Sequence, residues 1–160
     1  MAWKLVFGGY FVLVVGVLGF LLNAANAARD ARATQERDFH ARSVDCLARN
    51  VYYEARSESL LGQYAVAEVT MNRRGSLGYP KTVCEVVYQK EAFSWTGMKN
   101  LAEPSGPSWQ RALKVAQDVY YGRRTMELQG ATHYHATYVT PDWSSERERI
   151  ARIGRHVFYR

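Results

Sequence analysis

Two glutamates four residues apart, Glu54 and Glu58, are the side chains in this sequence best suited to acid–base chemistry. At about 100° per residue, one helical face collects a stripe of apolar side chains. The stripe contains Val44, Leu47, Ala48, Val51, Tyr52 and Ala55. Glu54 lies at its border, where loss of hydration disfavours the charged carboxylate and raises its pKa, as a general acid requires. The alternative is that both glutamates are rim residues whose carboxylates reach water.

The same stripe predicts a helix that begins with Ser43 as its N-cap. Glu58 lies one turn beyond Glu54 on that helix, and like charges at this spacing raise each other's pKa. Two carboxylates on one side of a helix approach a substrate from the same side, which argues against their flanking the scissile bond as acid and nucleophile. We therefore expect Glu58 to support Glu54 by orienting the local backbone or a neighbouring arginine.

The remaining patterns predict short helices followed by a small β element. A second helix runs from about residue 60 to 74, capped by Ser59 and stopped by Gly75. Its apolar side includes Leu61, Ala65 and Val69. Thr82 and Glu85 form a capping box for a third helix, and residues 109–120 repeat at helical spacing. Residues 133–135 and 156–159 alternate as short strands do.

Several ordered motifs surround the glutamates. They are N-V-Y-Y-E-A-R-S-E at 50–58, G-Q-Y-A-V-A-E-V-T-M-N-R at 62–73, Y-P-K-T-V-C-E-V-V-Y-Q at 79–89, F-S-W at 93–95, A-T-H-Y-H-A at 131–136, P-D-W at 141–143 and I-G-R-H-V-F-Y-R at 153–160. In this combination the chain resembles the SleB/CwlJ-type cell-wall hydrolases over about residues 44–160. The family is named for spore-cortex lysis.

The resemblance implies a mainly α (α+β) fold, a lysozyme-like or lytic-transglycosylase-like single domain with a small β element, preceded by an N-terminal hydrophobic helix. It implies that the substrate is the glycan strand of peptidoglycan, cleaved at the MurNAc–GlcNAc β-1,4 bond, with Glu54 as catalytic acid. The family's likeness to lytic transglycosylases favours a single glutamate that acts as acid and then as base. Hydrolysis by water, as in a muramidase, stays open. So does a non-enzymatic, membrane-anchored module that binds the envelope.

Eight side chains are candidates for the substrate groove, because aromatic rings stack on sugars and amide or hydroxyl groups bind their polar substituents. They are Tyr53, Gln63, Phe93, Ser94, Trp95, His133, Tyr134 and Tyr138. Core packing is the alternative for Phe93 and Trp95.

The N-terminus carries an uncharged run at residues 5–22, followed by the small-x-small pattern Ala25-Asn26-Ala27. The run fits either a cleaved signal peptide or a signal anchor in the inner membrane. We therefore expect residues 1–27 to be the leader, 28–42 a polar stalk and 43–160 the hydrolase domain. This predicts export to the periplasm or cell envelope.

The formal net charge of +6 suits an anionic polymer or the bacterial envelope. Nucleic acid is disfavoured as a partner because the chain is predicted to be exported and its basic residues are scattered. We expect the domain to act as a monomer.

The sequence has two cysteines, Cys46 and Cys84, and an even number in an exported chain favours a disulfide. Two buried free thiols are the alternative. His133 and His135 alternate as a metal pair could, but no third ligand is evident. Because acid–base chemistry at Glu54 needs neither, we expect no metal and no cofactor.

Overall fold

The computed structural model describes residues 2–122, 128 and 130–160, with side chains described from residue 15 onward. It divides into two compact units, residues 1–40 and 41–160. The first unit contains the beginning of helix α1 (Ala2–Ala55). Within the described residues, no helix combines the length and the apolar character needed to cross a membrane. Residues 5–14 of the predicted leader lie outside the described side chains, so the leader stays a prediction.

The C-terminal turns of α1 carry the predicted apolar stripe into the core of the second unit. All six side chains of that stripe are at most 9% exposed. The prediction that Ser43 caps this helix is wrong, because Ser43 lies inside α1 and is itself buried. The preceding segment is rich in Ala and Arg, which favour helix, and it contains no Gly or Pro that would end one.

Helix α2 (Leu60–Gly75) is the central element of the domain. The Ser59 hydroxyl accepts a hydrogen bond from the Gly62 N–H, as predicted for the cap. Residues 62–71 are all buried, because α3, α4 and the sheet surround this helix. The predicted apolar side of α2 therefore covers too few of the buried residues. It also wrongly includes Leu61, which is 44% exposed.

Helices α3 (Val83–Val87) and α4 (Gly106–Tyr120) both pack against α2. The predicted capping box of Thr82 and Glu85 is present, with each side chain accepting from the other's backbone N–H. A short 3₁₀ turn, Ser94–Gly97, lies between α3 and α4.

A three-stranded antiparallel sheet completes the fold, in the order β1 (His133–Ala136), β3 (His156–Tyr159), β2 (Arg149–Ile153). In the register of β1 and β3, Tyr134 lies opposite Phe158. Strand β2 was not predicted, because it is an edge strand whose arginines, Arg149 and Arg152, do not follow an alternating pattern and whose pairing is interrupted by a bulge near Ala151. The predicted fold class, mainly helical with a small β element, is confirmed.

Candidate active site

Glu54 lies in the last turn of α1, half-buried beside strand β1. The Tyr134 hydroxyl donates a hydrogen bond to Glu54 Oε2 at 3.0 Å. Burial raises the pKa of Glu54, and this outweighs the opposing effects of the Tyr134 hydrogen bond and the nearby charge of Arg73. Burial and the charge of Glu54 raise the pKa of Tyr134 well above its ordinary value, so this hydroxyl stays a donor.

Glu54 lines a surface hollow of about 450 Å³, which we call the Glu54 hollow. Five of the predicted groove residues line it together with Glu54. They are Tyr53, Ser94, Trp95, Tyr134 and Tyr138. Tyr138 is 84% exposed at the rim, and the exposed Met98 and Val139 extend the apolar edge. The hollow therefore offers aromatic surface next to one half-buried carboxyl group, an arrangement suited to a sugar chain.

A buried asparagine fixes the aromatic wall of this hollow. Asn50 Oδ1 accepts from Trp95 Nε1 at 3.0 Å, and Asn50 Nδ2 donates to Thr70 Oγ1 at 3.1 Å. The Tyr53 ring stacks on Trp95 with centroids 4.6 Å apart, and its hydroxyl donates to the Ala102 carbonyl at 2.8 Å. Asn50 was not among the predicted site residues, although it opens the first quoted motif.

Two predicted groove residues are not at the groove surface. Gln63 is 1% exposed, and its Nε2 donates to the backbone carbonyl of Glu58 at 3.1 Å. Phe93 is 4% exposed, and the Arg73 guanidinium lies over its ring. Both belong to the core because they face inward from elements that border the hollow. For Phe93 this is the core-packing alternative.

Glu58 has an environment opposite to that of Glu54. It lies in the turn after α1, not one turn further along a helix, because α1 ends at Ala55. Arg155 donates to it twice, through Nε at 2.6 Å and through the backbone N–H at 3.1 Å. Burial alone raises the pKa of Glu58, but these hydrogen bonds and the charge of Arg155 lower it overall.

This pairing corrects the predicted coupling between the two glutamates. The charge of Glu58 is neutralised by Arg155 and is not among the causes that raise the pKa of Glu54. The predicted contact with a neighbouring arginine is present, and that arginine is Arg155.

Two glycines make room for Glu58. A Cβ at Gly154, whose φ is +55°, would overlap Glu58 Oε2, and one at Gly62 would come within 3.0 Å of Glu58 Cβ. Arg155 and Gly154 were missed as site residues. The signal that could have found them is the quoted I-G-R-H motif, although its connection to Glu58 requires the tertiary structure.

On the other side of Tyr134 lies a second hollow of about 350 Å³, which we call the Arg73 hollow. Arg73, His133 and Trp143 line it together with Tyr134. Burial, followed by the charges of Arg147 and Arg73, lowers the pKa of His133 to about 4. Of the predicted groove residues, His133 and Tyr134 line the Arg73 hollow, and Tyr134 lines both hollows.

The other two histidines of the sheet, His135 and His156, differ in their hydrogen bonds. Both ring nitrogens of His135 are within 2.9 Å of protein oxygens, those of the Ala136 carbonyl and the Tyr159 hydroxyl. His156 lines the Glu54 hollow at 8% exposure, and its Nδ1 has no hydrogen-bond partner among the described residues. Among all the residues that the structure describes, no group of three His, Cys, Asp or Glu side chains is placed so that it could hold a metal ion.

A disulfide joins Cys46 on α1 to Cys84 on α3, with the Cα atoms 5.3 Å apart. The bridge connects the helix that carries Glu54 to the helix opened by the capping box. Its formation in the exported protein stays a prediction with a test of its own.

Comparison with known proteins assigns this chain to a family. The sequence profile described as "Cell Wall Hydrolase" matches residues 57–159, well over half of the chain, and begins just after Glu54. The spore cortex-lytic enzyme of Halalkalibacterium halodurans is 33% identical over 72% of this chain and 34% of its own length. That of Bacillus subtilis is 30% identical over 75% of this chain and 38% of its own length. The chain thus spans well under half of these curated relatives.

Solved structures are similar over most of the second unit. The catalytic domain of the Bacillus cereus SleB protein superposes with a TM-score of 0.62 at 32% identity, covering 74% of this chain and 89% of that one. The catalytic domain of the germination-specific lytic transglycosylase SleB from Bacillus anthracis gives 0.63 at 30% identity, covering 74% and 93%. The predicted resemblance is confirmed, and the chain belongs to the cell wall hydrolase family.

Proposed function

We propose that this protein cleaves the β-1,4 bond between MurNAc and GlcNAc in peptidoglycan, as a lytic transglycosylase with Glu54 as its single acid and base. The observation that carries the proposal is the half-buried Glu54 carboxyl with a raised pKa, facing an aromatic hollow. Membership of the cell wall hydrolase family supports the substrate class. The Bacillus anthracis neighbour is itself described as a lytic transglycosylase.

In the first step the protonated Glu54 donates its proton to the glycosidic oxygen. The bond from that oxygen to C1 of the muramoyl residue breaks, and positive charge develops at C1. The Tyr134 hydroxyl, 3.0 Å from Oε2, holds one carboxyl oxygen, which leaves Oε1 for the transferred proton. The negative charge that forms on Glu54 is stabilised by the same Tyr134 hydrogen bond and by the charge of Arg73.

In the second step the muramoyl 6-hydroxyl attacks C1, and the Glu54 carboxylate accepts the hydroxyl proton. The products are a 1,6-anhydromuramoyl end and a free 4-hydroxyl on the GlcNAc leaving group, and Glu54 is protonated again. A single carboxyl group suffices because the nucleophile is part of the substrate.

The lining of the Glu54 hollow favours this mechanism over hydrolysis. A hydrolase with inverting geometry needs a second carboxylate about 6.5–9.5 Å from the first, and a retaining one needs it closer. Among the described residues that line the hollow, Glu54 is the sole carboxylate. Glu58 is engaged by Arg155, so we assign it a positioning role.

The test is to digest purified glycan strands and weigh the fragments. Anhydro ends are lighter than hydrolysed ends by one water, so the mass separates the two mechanisms. The Glu54→Gln variant should cleave neither way, whereas Glu146→Gln, the same change at an exposed glutamate outside both hollows, should cleave normally. Reducing ends throughout would indicate a muramidase. Binding of strands without any cleavage by the wild-type protein would indicate the non-enzymatic envelope module.

The proposed substrate lies outside the cytoplasm, so the function requires export. We propose that residues 5–22 direct it, either as a cleaved signal peptide or as an anchor in the inner membrane. N-terminal sequencing of the protein from its producing cell separates the two, since a start near Ala28 indicates cleavage and an intact Trp3-Lys4 indicates anchoring. Purely cytoplasmic protein would contradict both.

A further inference from the structure

The Arg73 hollow contains a guanidinium group that protein contacts hold in place. Arg73 Nε donates to the Thr132 carbonyl at 2.7 Å, and one terminal nitrogen donates to the Ala92 carbonyl at 3.5 Å. The guanidinium carbon also lies 5.0 Å from the ring centroid of Phe93 and 5.8 Å from that of Tyr79. Because these contacts already order the side chain, little further entropy is lost when it binds a ligand.

Part of this guanidinium remains available for a ligand. Arginine has five N–H donors in a planar fork, and described protein groups accept two hydrogen bonds from Arg73. Within the described ranges, no carboxylate lies at ion-pair distance from Arg73. The hollow therefore contains a fixed cation with unused donors.

The charge in the hollow is positive overall. Burial, Arg147 and Arg73 together lower the pKa of His133 to about 4, so the histidine is neutral near pH 7. Lys90 also lines the hollow, with its Nζ 3.8 Å from Glu91, and these two side chains are 91% and 84% exposed. Since water screens that exposed pair, Arg73 is the dominant fixed charge.

The hollow lies beside the proposed reaction centre. Tyr134 lines both hollows and donates to Glu54, so one side chain separates Arg73's hollow from the acid. The Trp143 ring forms another wall and gives a sugar an aromatic surface to stack on.

We propose that the Arg73 hollow binds a substrate carboxylate carried by the muramoyl residue whose bond lies at Glu54. This inference rests on the proposed function, because it takes peptidoglycan as the substrate. The muramoyl residue carries its anionic group either as a free lactyl carboxylate at C3 or, where a peptide is attached, as the carboxylates of that peptide. The planar fork of Arg73 matches a carboxylate through two parallel hydrogen bonds.

The test measures binding in the Glu54→Gln background, so that no probe is consumed. Three probes are compared by calorimetry: peptide-free strands with the lactyl carboxylate, the same strands with that group converted to a methylamide, and strands that keep their peptides. We expect the best carboxylate-bearing strand to bind roughly 10-fold more tightly than the methylamide strand, as a charge-assisted hydrogen bond allows. Preference for the peptide-free strand identifies the lactyl carboxylate, and preference for the peptide-bearing strand identifies the peptide.

Adding Arg73→Gln should reduce this ratio to about 1, and Arg73→Lys should keep only part of it. Arg74→Gln is the matched control, because Arg74 packs over Tyr120 outside the hollow and the variant loses the same charge. Each ratio compares two probes on one preparation, so a smaller folded fraction cancels. Equal dissociation constants for all three probes, or an unchanged ratio in Arg73→Gln, would overturn the inference. Wild-type cleavage of the same strands decides the proposed function separately.

Discussion

The last turn of α1 and the turn that follows it carry the same functional group in opposite environments. Glu54 receives one hydrogen bond, from Tyr134, and burial raises its pKa. Glu58, four residues later, receives two from Arg155, and its pKa is lowered. Two nearby carboxyl groups whose pKa values are moved apart commonly mark an acid and a permanently charged partner.

The difference supports the proposal that Glu54, and not Glu58, is the proton donor. Near neutral pH the Glu58 side chain is a carboxylate held by Arg155, and it is 5% exposed. Glu54 borders an open hollow and keeps a proton to higher pH. Glu58 instead joins the turn after α1 to the turn between β2 and β3, through its hydrogen bonds with Arg155.

The largest expected effect comes from Glu54→Gln, which removes the proposed proton donor and keeps the shape of the side chain. We expect activity on glycan strands to fall by about 10²–10⁴-fold or more, because general acid–base catalysis contributes that much. Glu58→Gln should lose clearly less. Initial rates on purified strands, with thermal melting to verify folding, measure both, and equal losses would remove the distinction between the two glutamates.

The next largest effect is a loss of stability when the disulfide is removed. The disulfide attaches α1 to α3 upstream of Glu54, whereas the turn at Glu58 is attached to the sheet by an ion pair with Arg155. Replacing Cys46 and Cys84 together with serine should lower the free energy of unfolding by about 4 kcal/mol, because the bridge closes a loop with a sequence separation of 38 residues. Urea unfolding measures the change. Reductant should reproduce it in the wild-type protein and have no effect in the variant, and two alkylatable thiols in the native exported protein would refute the bridge.

A methyl group at Gly154 should disturb the Glu58 region and leave Glu54 in place. Gly154→Ala meets the Glu58 carboxylate and forces alanine to a positive φ, so we expect a loss of roughly 2–4 kcal/mol in stability. Gly78→Ala is the matched control, because φ is +82° there and nothing lies within 4 Å of the added Cβ. It should lose only the backbone contribution of roughly 1–2 kcal/mol. Equal losses at the two sites would mean that Glu58 moves freely.

The pH dependence of stability should separate the two glutamates by sign. The lowered pKa of Glu58 adds stability that is fully present above the unfolded-state pKa, about 4.3, and is lost as pH falls through the folded pKa. The raised pKa of Glu54 removes stability as pH rises from the unfolded-state pKa through the folded one.

Urea unfolding from pH 2 to pH 8 tests both signs. Glu58→Gln should remove the gain in stability with rising pH, and Glu54→Gln should remove the loss. For Glu58 we expect about 1–3 kcal/mol, as for a hydrogen-bonded charge. Arg155→Gln should cost at least as much as Glu58→Gln above the unfolded-state pKa, because it leaves the buried Glu58 carboxylate without its charged partner. A profile unchanged by either substitution would contradict the assigned environments.

The smallest effect is expected from Tyr134→Phe, which removes the hydrogen bond to Glu54 and keeps the ring. This bond lowers the pKa of Glu54, so its loss should raise that pKa and move the alkaline limb of kcat/KM to higher pH. The loss at the optimum should be several-fold, as for one neutral donor, about 1 kcal/mol. Tyr138→Phe, which removes an exposed hydroxyl at the rim, should leave the limb in place. A shift to lower pH would contradict the assigned bond.

Local sequence was enough to predict the elements that carry the site. The apolar stripe of α1, the Ser59 cap and the capping box at Thr82 are confirmed, because each depends on side chains within one or two turns of each other. Together with the family resemblance, this periodicity placed Glu54 at the border of the core. For α2 the helical periodicity predicted a single buried side, and this was wrong. Neighbouring elements surround α2 and bury residues that the periodicity places on the exposed side.

Only the tertiary structure determined what each carboxyl group contacts. Tyr134 is 80 residues from Glu54 in the chain, and Arg155 is 97 from Glu58. No local pattern contains those pairs, and yet they decide the direction of both pKa shifts, because hydration and charge depend on what lies near a group in space. For the same reason both aromatic residues of F-S-W are buried in one core, and of the two only Trp95 also lines the Glu54 hollow. Helix formation is local, whereas the acidity of a side chain is set by the whole fold around it.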